Sequence, residues 1–253
     1  MKSRTDAVYG KDFYAYINRG SLESARVVVP IVKSMFSVSE ILDVGCGAGA
    51  WLSVWKEHGC GVTGIDGEYV LDGGILIDRS EFVPHDLNDS FSLARKFDLV
   101  QCLEVAEHLP EVRADQLVES LTGHGDIVMF SAACPGQGGK CHINEQPYSY
   151  WKEKFGRSGF VMIDCLRRSI GSERQVKPWY RYNIFVFMSD DLFRSSYSHL
   201  ESDHVVGAPK DVSPTIYQIR KAIVRLLPES VVTLLAEMVE KINVKWLAGS
   251  ALR

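Results

Sequence analysis

Acidic residues and a glycine turn stand at the ends of two apolar runs in the first third of the chain. The run 40–44 contains Asp43 and leads into the turn Gly45–Gly49, and the run 61–65 ends at Asp66. Glycines suit a sharp turn whose backbone must approach a ligand closely, because they carry no Cβ. Their G-x-G-x-G spacing differs from the G-x-G-x-x-G fingerprint that sets a helix N-terminus against a pyrophosphate. Asp43 would repel a pyrophosphate and suits a cationic amino-acid group, whereas Asp66 can accept hydrogen bonds from ribose hydroxyls.

A third carboxylate, Asp86, follows the segment 82–85, where the adenine amino group of such a ligand would lie. The segment from about 40 to 131 resembles the class I S-adenosylmethionine-dependent methyltransferases at Asp43, Gly45, Gly47, Asp66 and Asp86. This resemblance implies that the cofactor is S-adenosylmethionine. The predicted cofactor-binding residues are Asp43, Gly45, Cys46, Gly47, Trp51, Leu52, Asp66, Gly67, Asp86, Leu87, Leu103 and Glu104.

Two carboxylates and an imidazole follow the apolar run 97–102. If a helix begins at residue 105, then Glu104, Glu107 and His108 lie three and four apart and share one face. Such groups repel one another or compete for protons unless a cation joins them. The E-x-x-E-H string resembles the same segment of the small-RNA 3′-end 2′-O-methyltransferases and the ubiquinone-pathway O-methyltransferases. From the RNA enzymes, the resemblance implies a divalent ion (Mg, Mn, Fe or Zn) held by Glu104, Glu107, His108 and His142.

The predicted catalytic residues are His142, His108 and Glu107. In the metal-assisted form, the bound ion would lower the pKa of an acceptor hydroxyl and fix a vicinal diol. In the metal-free form, His142 would act as the general base. Two alternatives stay open: the Glu107–His108 pair could cap a helix or orient the cofactor loop with no ion, and His142 could be a loop histidine bonded to backbone.

The acceptor is predicted from a second resemblance, carried by the block Phe130–Trp151 with Phe13–Tyr16, Trp51 and Lys177–Tyr180. Over about residues 8–190 the chain resembles small bacterial methyltransferases associated with polysaccharide and glycolipid gene clusters. This implies O-methylation of a hydroxyl on a sugar or a glycan or glycolipid precursor. Two alternatives remain: a lipid, quinone or other small-molecule precursor methylated on O, N or C, and a non-catalytic scaffold that only binds the cofactor.

The alternation of short apolar runs with helical segments predicts an α/β fold with a Rossmann-like, mostly parallel sheet of seven strands. Strands are expected at 40–44, 61–65, 97–102 and 125–131. The apolar runs 160–165 and 182–188 are predicted to close the sheet as a C-terminal antiparallel hairpin, without a helical crossover between them.

Three regions are expected along the chain. Residues 1–190 form the methyltransferase domain, with N-terminal cap helices at about 8–36 in which Ser21 and Ser24 are candidate N-caps. Residues 191–214 read as a linker and residues 215–253 as a helical appendage. The appendage carries aliphatic residues at helical spacing beside basic ones, so it could pack on the domain, form a homodimer or lie on a membrane surface.

Composition narrows the compartment and the partners. A net charge of −4 without a basic face argues against a nucleic-acid partner and leaves a small-molecule or glycan acceptor. The six cysteines form no C-x-x-C pair, which fits a reducing compartment. No signal core and no run of about 18 apolar residues occurs, so we expect a cytoplasmic protein with no transmembrane segment. Peripheral contact at the inner membrane face stays open through the appendage.

Overall fold

The computed structural model describes residues 11–228 and 230–239, with side chains from residue 18 onward in those ranges. Its core is a sheet of seven strands in the order β3-β2-β1-β4-β5-β7-β6. The strands are β1 (Glu40–Val44), β2 (Gly61–Asp66), β3 (Phe82–Pro84), β4 (Leu99–Leu103), β5 (Ile127–Ser131), β6 (Phe160–Ile163) and β7 (Phe185–Ser189). The predicted sheet of seven mostly parallel strands is therefore confirmed.

Helices cover both faces of the sheet, as a parallel sheet with buried apolar strands requires. On one face α1 packs against α2 and α5, and on the other α3 packs against α4. The α-helices are α1 (Lys11–Met35), α2 (Ala50–Glu57), α3 (Ala114–His124), α4 (Tyr148–Arg157), α5 (Cys165–Ile170), α6 (Pro178–Arg181), α7 (Asp190–Ser196) and α8 (Thr215–Val224). Residues 230–239 are also helical. Short 3₁₀ turns occupy Glu68–Gly73, Arg79–Glu81, Ala106–His108, Glu111–Arg113 and Ser198–Asp203.

The strand order positions the candidate site. Strands β1 to β5 run parallel, and β1 lies between β2 and β4. Asp43 of β1 pairs with Gly64 on one side and Gln101 on the other. The order reverses between β1 and β4, and open α/β sheets bind ligands in the crevice at the carboxyl ends of such strands. The glycine turn, Asp66 and Glu104 therefore share one edge of the sheet.

The C-terminal strands are antiparallel, as expected, but their connection differs from a simple hairpin. Strand β7 pairs antiparallel with both β5 and β6. Two short helices, α5 and α6, lie between β6 and β7, in the stretch expected to be polar and without helix. Its apolar positions explain the difference, because Leu166, Ile170 and Tyr180 are buried against the core under α1.

The expected N-caps were wrong, and the predicted linker contains more regular structure than expected. Ser21 and Ser24 lie inside α1 and are not N-caps. The Ser24 hydroxyl donates to the carbonyl of Gly20 (2.8 Å), which a helix interior tolerates, and the Ser21 hydroxyl contacts that of Tyr180 (3.0 Å). The predicted linker also begins as α7 and a 3₁₀ turn, and His204 then pairs with Ile163 at the edge of β6. Covering an exposed strand edge in this way blocks pairing with other chains.

The predicted appendage is helical where the structure describes it. Helix α8 and residues 230–239 pack beside the carboxyl edge of the sheet, and the remainder of the appendage, 240–253, lies outside the described residues. The predicted start of the N-terminal cap at residues 8–10 lies outside them too. Across 11–228 and 230–239, no helix combines the length and the apolar character needed to cross a bilayer.

Candidate functional site

A cavity of about 1350 Å³ opens at the carboxyl edge of the sheet. All the predicted cofactor residues line it except Leu52, and the three predicted catalytic residues line it as well. Leu52 is fully buried in the core between α2 and the sheet, so the structure places its side chain apart from the other predicted cofactor residues. One residue along an α-helix turns the side chain by about 100°, which directs Trp51 to the cavity and Leu52 to the core.

The turn Gly45–Gly49 adopts a conformation that favours glycine. Gly45, Gly47 and Gly49 have φ angles of 78°, 52° and 79°, in the left-handed region. A Cβ on Gly45 would lie 2.3 Å from a methyl carbon of Val105, whereas a Cβ on Gly47 would meet nothing within 4 Å. Gly47 lines the cavity, so the missing side chain leaves its backbone open to a ligand.

Asp66 organises the turn through its carboxylate. One oxygen accepts a hydrogen bond from the amide of Gly47 (2.8 Å), and the other accepts from the amide of Gly67 (2.7 Å) and the hydroxyl of Tyr69 (2.8 Å). Burial raises the pKa of Asp66 against these hydrogen bonds, which favour the charged form. The side chain thus connects the turn after β1 to the end of β2.

Asp43 lies deeper, at the end of β1, and is 3% exposed. Burial, reinforced by the nearby Asp66 carboxylate, raises the pKa of Asp43 to about 8. A cation placed beside Asp43 would favour its charged form and reverse this shift. Asp43 is therefore suited to a ligand that brings a positive charge into the cavity.

Asp86 lines the cavity in a more exposed position. Its Oδ1 accepts hydrogen bonds from the amide and the side-chain nitrogen of Asn88, both at 2.9 Å. These bonds hold the pKa of Asp86 below its usual value. Asp86 therefore presents a charged carboxylate to the cavity.

Glu104 follows β4 in a strained backbone conformation with φ 57°. Non-glycine residues seldom adopt this region, and such strain concentrates at functional sites. Its Oε2 accepts a hydrogen bond from the Gln137 side chain (2.6 Å), and the Gln137 oxygen accepts one from Asn183 (2.6 Å). Burial raises the pKa of Glu104. Sequence reasoning missed Gln137 and Asn183, which reach Glu104 from distant parts of the chain.

The structure brings together three of the four predicted metal ligands. Glu107, His108 and His142 each offer a ligand atom, and these atoms lie within 4.8 Å of one another. Glu104, the fourth predicted ligand, lies outside this group. The expected α-helix from residue 105 is a 3₁₀ turn, Ala106–His108, so the three- and four-residue spacing does not place Glu104 on the same face.

Glu107 is the most unusual residue of this cluster. It is fully buried, and neither carboxylate oxygen meets hydrogen-bond geometry with a partner within the described part of the chain, although the amides of Glu107 and Ala133 are close enough to favour its charged form. Burial, then the nearby Glu104 carboxylate, raises the pKa of Glu107 well above its usual value. A buried polar group without a partner costs free energy, so its retention calls for an explanation.

His108 and His142 lie side by side in the lining of the cavity. Their rings are edge to face, with centroids 5.0 Å apart. Nδ1 of His108 lies 3.1 Å from the carbonyl oxygen of Cys141. Loss of solvation around the ring, then the neighbouring His142, lowers the pKa of His108, although the residue as a whole is exposed. His108 is therefore neutral near pH 7, the form in which imidazole binds metals or accepts protons.

Glu145 holds the loop that carries His142, and sequence reasoning missed it. Its carboxylate accepts hydrogen bonds from the amides of Gly136 and Gly138, each at 2.7 Å, and lies 2.9 Å from Nδ1 of His142. Burial would raise the pKa of Glu145, but His142 and the two amides hold it below its usual value. A glycine-rich loop followed closely by an acidic residue is the signal that could have found it.

The C-terminal helices form a further wall of the cavity. Arg220 donates to the carbonyl of Gln137 (2.9 Å), and Arg225 donates to that of Pro135 (2.8 Å). A Cβ on Gly136 would lie 2.2 Å from the carbonyl oxygen of Lys221, so the loop and α8 meet backbone to backbone. Of the arrangements left open for the appendage, packing on the domain is the one seen in its described part.

Comparisons with known proteins agree with this geometry. A family model described as a methyltransferase domain matches residues 19–162, more than half of the chain. A ubiquinone biosynthesis O-methyltransferase from Pseudomonas syringae pv. tomato is 35% identical over 201 residues, which cover 72% of this chain and 79% of that protein. One of the same name from Haemophilus ducreyi is 34% identical over 83 residues, covering 28% and 35%. The chain thus spans about a third of the length of several curated relatives that it matches.

The fold also has a solved counterpart. The sugar N-methyltransferase KedS8 from Streptoalloteichus is 16% identical, with a TM-score of 0.54 that covers 69% of this chain and 90% of that one. At such low identity the likeness establishes the fold and nothing about the acceptor.

Proposed function

The chain belongs to the methyltransferase domain family, and we propose that it transfers a methyl group from S-adenosylmethionine to a hydroxyl oxygen of a small-molecule acceptor. The observation that carries the proposal is the set of residues that line one cavity. A glycine turn with the buried carboxylates Asp43 and Asp66 lies at one end, and the cluster of Glu107, His108 and His142 lines the same space.

The turn and its carboxylates fit S-adenosylmethionine. The ammonium group of its amino-acid part would lie beside Asp43, whose buried carboxyl favours a cationic partner. The ribose hydroxyls would donate to Asp66, and the adenine amino group to Asp86. The open backbone of Gly47 leaves space for the cofactor where any side chain would intrude. These roles follow from the chemistry of the side chains and from their positions around the cavity.

Methyl transfer to oxygen requires alignment and removal of a proton. The acceptor oxygen forms a bond to the methyl carbon while the bond from that carbon to sulfur breaks. The hydroxyl proton passes to Nε2 of His142. Glu145 bonds to Nδ1 of the same ring, which orients Nε2 and stabilises the protonated imidazole. His142, oriented by Glu145, can thus act as the general base without a metal ion.

The cluster also fits a divalent cation. A carboxylate and two imidazoles are ligands that suit manganese, iron or zinc, and the unpartnered oxygens of Glu107 are available to coordinate an ion. Bound there by Glu107, His108 and His142, a cation would lower the pKa of an acceptor hydroxyl and favour substrates with adjacent hydroxyls.

The acceptor class that the relatives favour is a lipid or quinone precursor. The curated relatives carry the name ubiquinone biosynthesis O-methyltransferase, which supports a hydroxyl on such a molecule over the sugar or glycan hydroxyl predicted from the second resemblance. A sugar acceptor is the second candidate, because adjacent sugar hydroxyls suit the same cluster.

Methyl transfer from labelled S-adenosylmethionine to a catechol or a methyl glycoside tests the proposal. We expect His142→Ala to reduce the transfer rate by about 10²- to 10⁴-fold, the usual contribution of a general base. His199→Ala, an exposed histidine away from the cavity, is the matched control and should keep full activity. Binding of S-adenosylhomocysteine should be unchanged in both variants.

Full activity of His142→Ala on a proven acceptor would remove both the base and the metal-ligand role of this residue. Cofactor binding without transfer to any hydroxyl acceptor would instead favour a binding scaffold. The two results separate catalysis from cofactor binding.

A further inference from the structure

The described C-terminal helices give the cavity an aliphatic wall. We define this wall by the six side chains of α8 and the following segments that line the cavity: Val224, Leu227, Val232, Leu235, Ala236 and Val239. Leu235 and Val239 are 45% and 57% exposed, so their apolar surface faces open space. Exposed aliphatic surface gathered in one place marks a binding site more often than scattered exposed residues do.

The cavity is larger than one ligand needs. Its volume of about 1350 Å³ exceeds the roughly 300–1,000 Å³ of pockets for single drug-sized ligands. The carboxylates Asp43 and Asp66 belong to the strand ends, whereas the aliphatic wall belongs to the C-terminal helices. One space thus combines a polar part, suited to the cofactor, with an apolar part, suited to a different molecule.

The wall is fixed to the loop that carries His142. Arg220 and Arg225 donate to the carbonyls of Gln137 and Pro135, and Glu145 holds the same loop through Gly136 and Gly138. Lys221 of α8 is 2% exposed and forms an ion pair with Asp211. An acceptor whose head reaches His142 would therefore extend its remaining atoms along a wall in a defined position.

The same helices carry a second aliphatic face that does not line the cavity. Leu226, next to Leu227, is 83% exposed, and Leu234, next to Leu235, is 57% exposed. Neither lines the cavity. The wall lines the same cavity as Glu107, His108 and His142, whereas the outer face does not. An occupant of the wall would therefore share its space with the reactive cluster.

We propose that the aliphatic wall binds an alkyl, acyl or prenyl chain carried by the acceptor, while the hydroxyl-bearing head lies at His142. This inference rests on the proposed function and adds the site that recognises the chain. The wall lies outside residues 19–162, which match the family.

The test uses the full chain saturated with S-adenosylhomocysteine and two probes, 4-ethylcatechol and 4-octylcatechol. Burial of each added methylene strengthens binding by up to about fourfold, so six of them on a partly exposed wall should give at least about tenfold tighter binding of the octyl probe. Calorimetry measures both affinities, and transfer of labelled methyl gives the corresponding change in KM.

Matched double variants assign the effect to one face. Leu227→Ser with Leu235→Ser should bring the octyl probe to the affinity of the ethyl probe. Leu226→Ser with Leu234→Ser should keep the difference between the probes. An unchanged affinity for S-adenosylhomocysteine would verify that each variant is folded.

Equal affinity of the two probes for the wild-type protein would overturn the inference, whether the wall is covered by residues 240–253, by a second copy or by nothing. Loss of the difference in the outer-face variant alone would also overturn it, because that result would place the alkyl chain of the probe on the outer face. Neither result affects the proposed function, which fails separately if S-adenosylhomocysteine does not bind.

Discussion

The two ends of the cavity are built in different ways. The cofactor end, which we define as residues 43–49 and 66–69, comes from two neighbouring strands and the turns that follow them. The acceptor end, residues 104–108, 134–145 and the C-terminal wall, is assembled from segments far apart in the chain. In the first, the Asp66 carboxylate accepts hydrogen bonds from two backbone amides, whereas in the second the Glu107 carboxylate has no hydrogen-bond partner among the described residues.

This difference indicates a division of roles. Backbone geometry fixes the cofactor end, so changes there should damage stability and cofactor binding together. Side chains fix the acceptor end, so changes there should alter chemistry while the fold persists. Each of the following predictions tests one side of this comparison.

The largest effect is expected at the cofactor end. Gly45 and Gly59 have nearly equal φ angles, 78° and 77°, but only a Cβ on Gly45 would collide with Val105. Backbone strain alone costs about 1–2 kcal/mol, which we expect for Gly59→Ala. Gly45→Ala adds a steric clash of similar size and should lose about 3 kcal/mol of unfolding free energy and its cofactor affinity. Urea denaturation measures the pair, and equal losses would show that the turn is not sterically constrained by Val105.

A change of opposite sign is expected at the acceptor end. Replacing Glu107 by leucine removes a buried carboxyl whose oxygens lack a well-formed hydrogen bond among the described residues, so Glu107→Leu should raise the unfolding free energy by about 1–3 kcal/mol. The same variant should lose the part of methyl transfer that depends on a bound cation, because it removes one of the three candidate ligands. The exposed Glu111→Leu is the control and should stay within about 0.5 kcal/mol of wild type. A destabilised Glu107→Leu would mean that the carboxyl has a structural role.

These two ends were not equally predictable from sequence. The residues of the cofactor end could be picked out from the sequence, because strand, glycine turn and strand-end carboxylate are adjacent in the chain and leave a recognisable spacing. The acceptor end was predicted only in part. The spacing of Glu104, Glu107 and His108 is compatible with an α-helix, and nothing local reveals the 3₁₀ turn and the left-handed Glu104 that separate these residues. The roles of Gln137 and Glu145 depend on contacts that only the folded chain creates.

The pH dependence of cofactor binding tests the charge at the cofactor end. The pKa of Asp43 is about 8 in the folded protein and about 3.9 in an unfolded chain, so the cofactor-free protein should lose stability as pH rises from 5 to 8. A bound ammonium group requires the carboxylate, so binding of S-adenosylhomocysteine should release a proton and weaken by up to about tenfold per pH unit below 8. Calorimetry at pH 6, 7 and 8 measures this. Asp43→Asn should bind more weakly with no such slope, and a flat wild-type profile would argue against contact between Asp43 and the ammonium group.

The smallest effect is expected at the contact between α8 and the loop of residues 134–139. Arg220→Ala removes the bond from α8 to the carbonyl of Gln137. Because the arginine is exposed, we expect a loss of about 1 kcal/mol or less in unfolding free energy. Hydrogen exchange should nevertheless become faster at residues 134–139. Unchanged exchange there would mean that Glu145 and Arg225 hold the loop without Arg220.

Cofactor binding at the strand ends is the central claim, and calorimetric titration with S-adenosylhomocysteine tests it most directly. We expect one binding site per chain in the wild type and at least about tenfold weaker binding in Asp66→Asn, since a charged hydrogen-bond acceptor is lost. Asp89→Asn, an exposed change outside the cavity, should bind as the wild type does. Absence of binding to the wild type, or equal affinity in Asp66→Asn, would contradict the account.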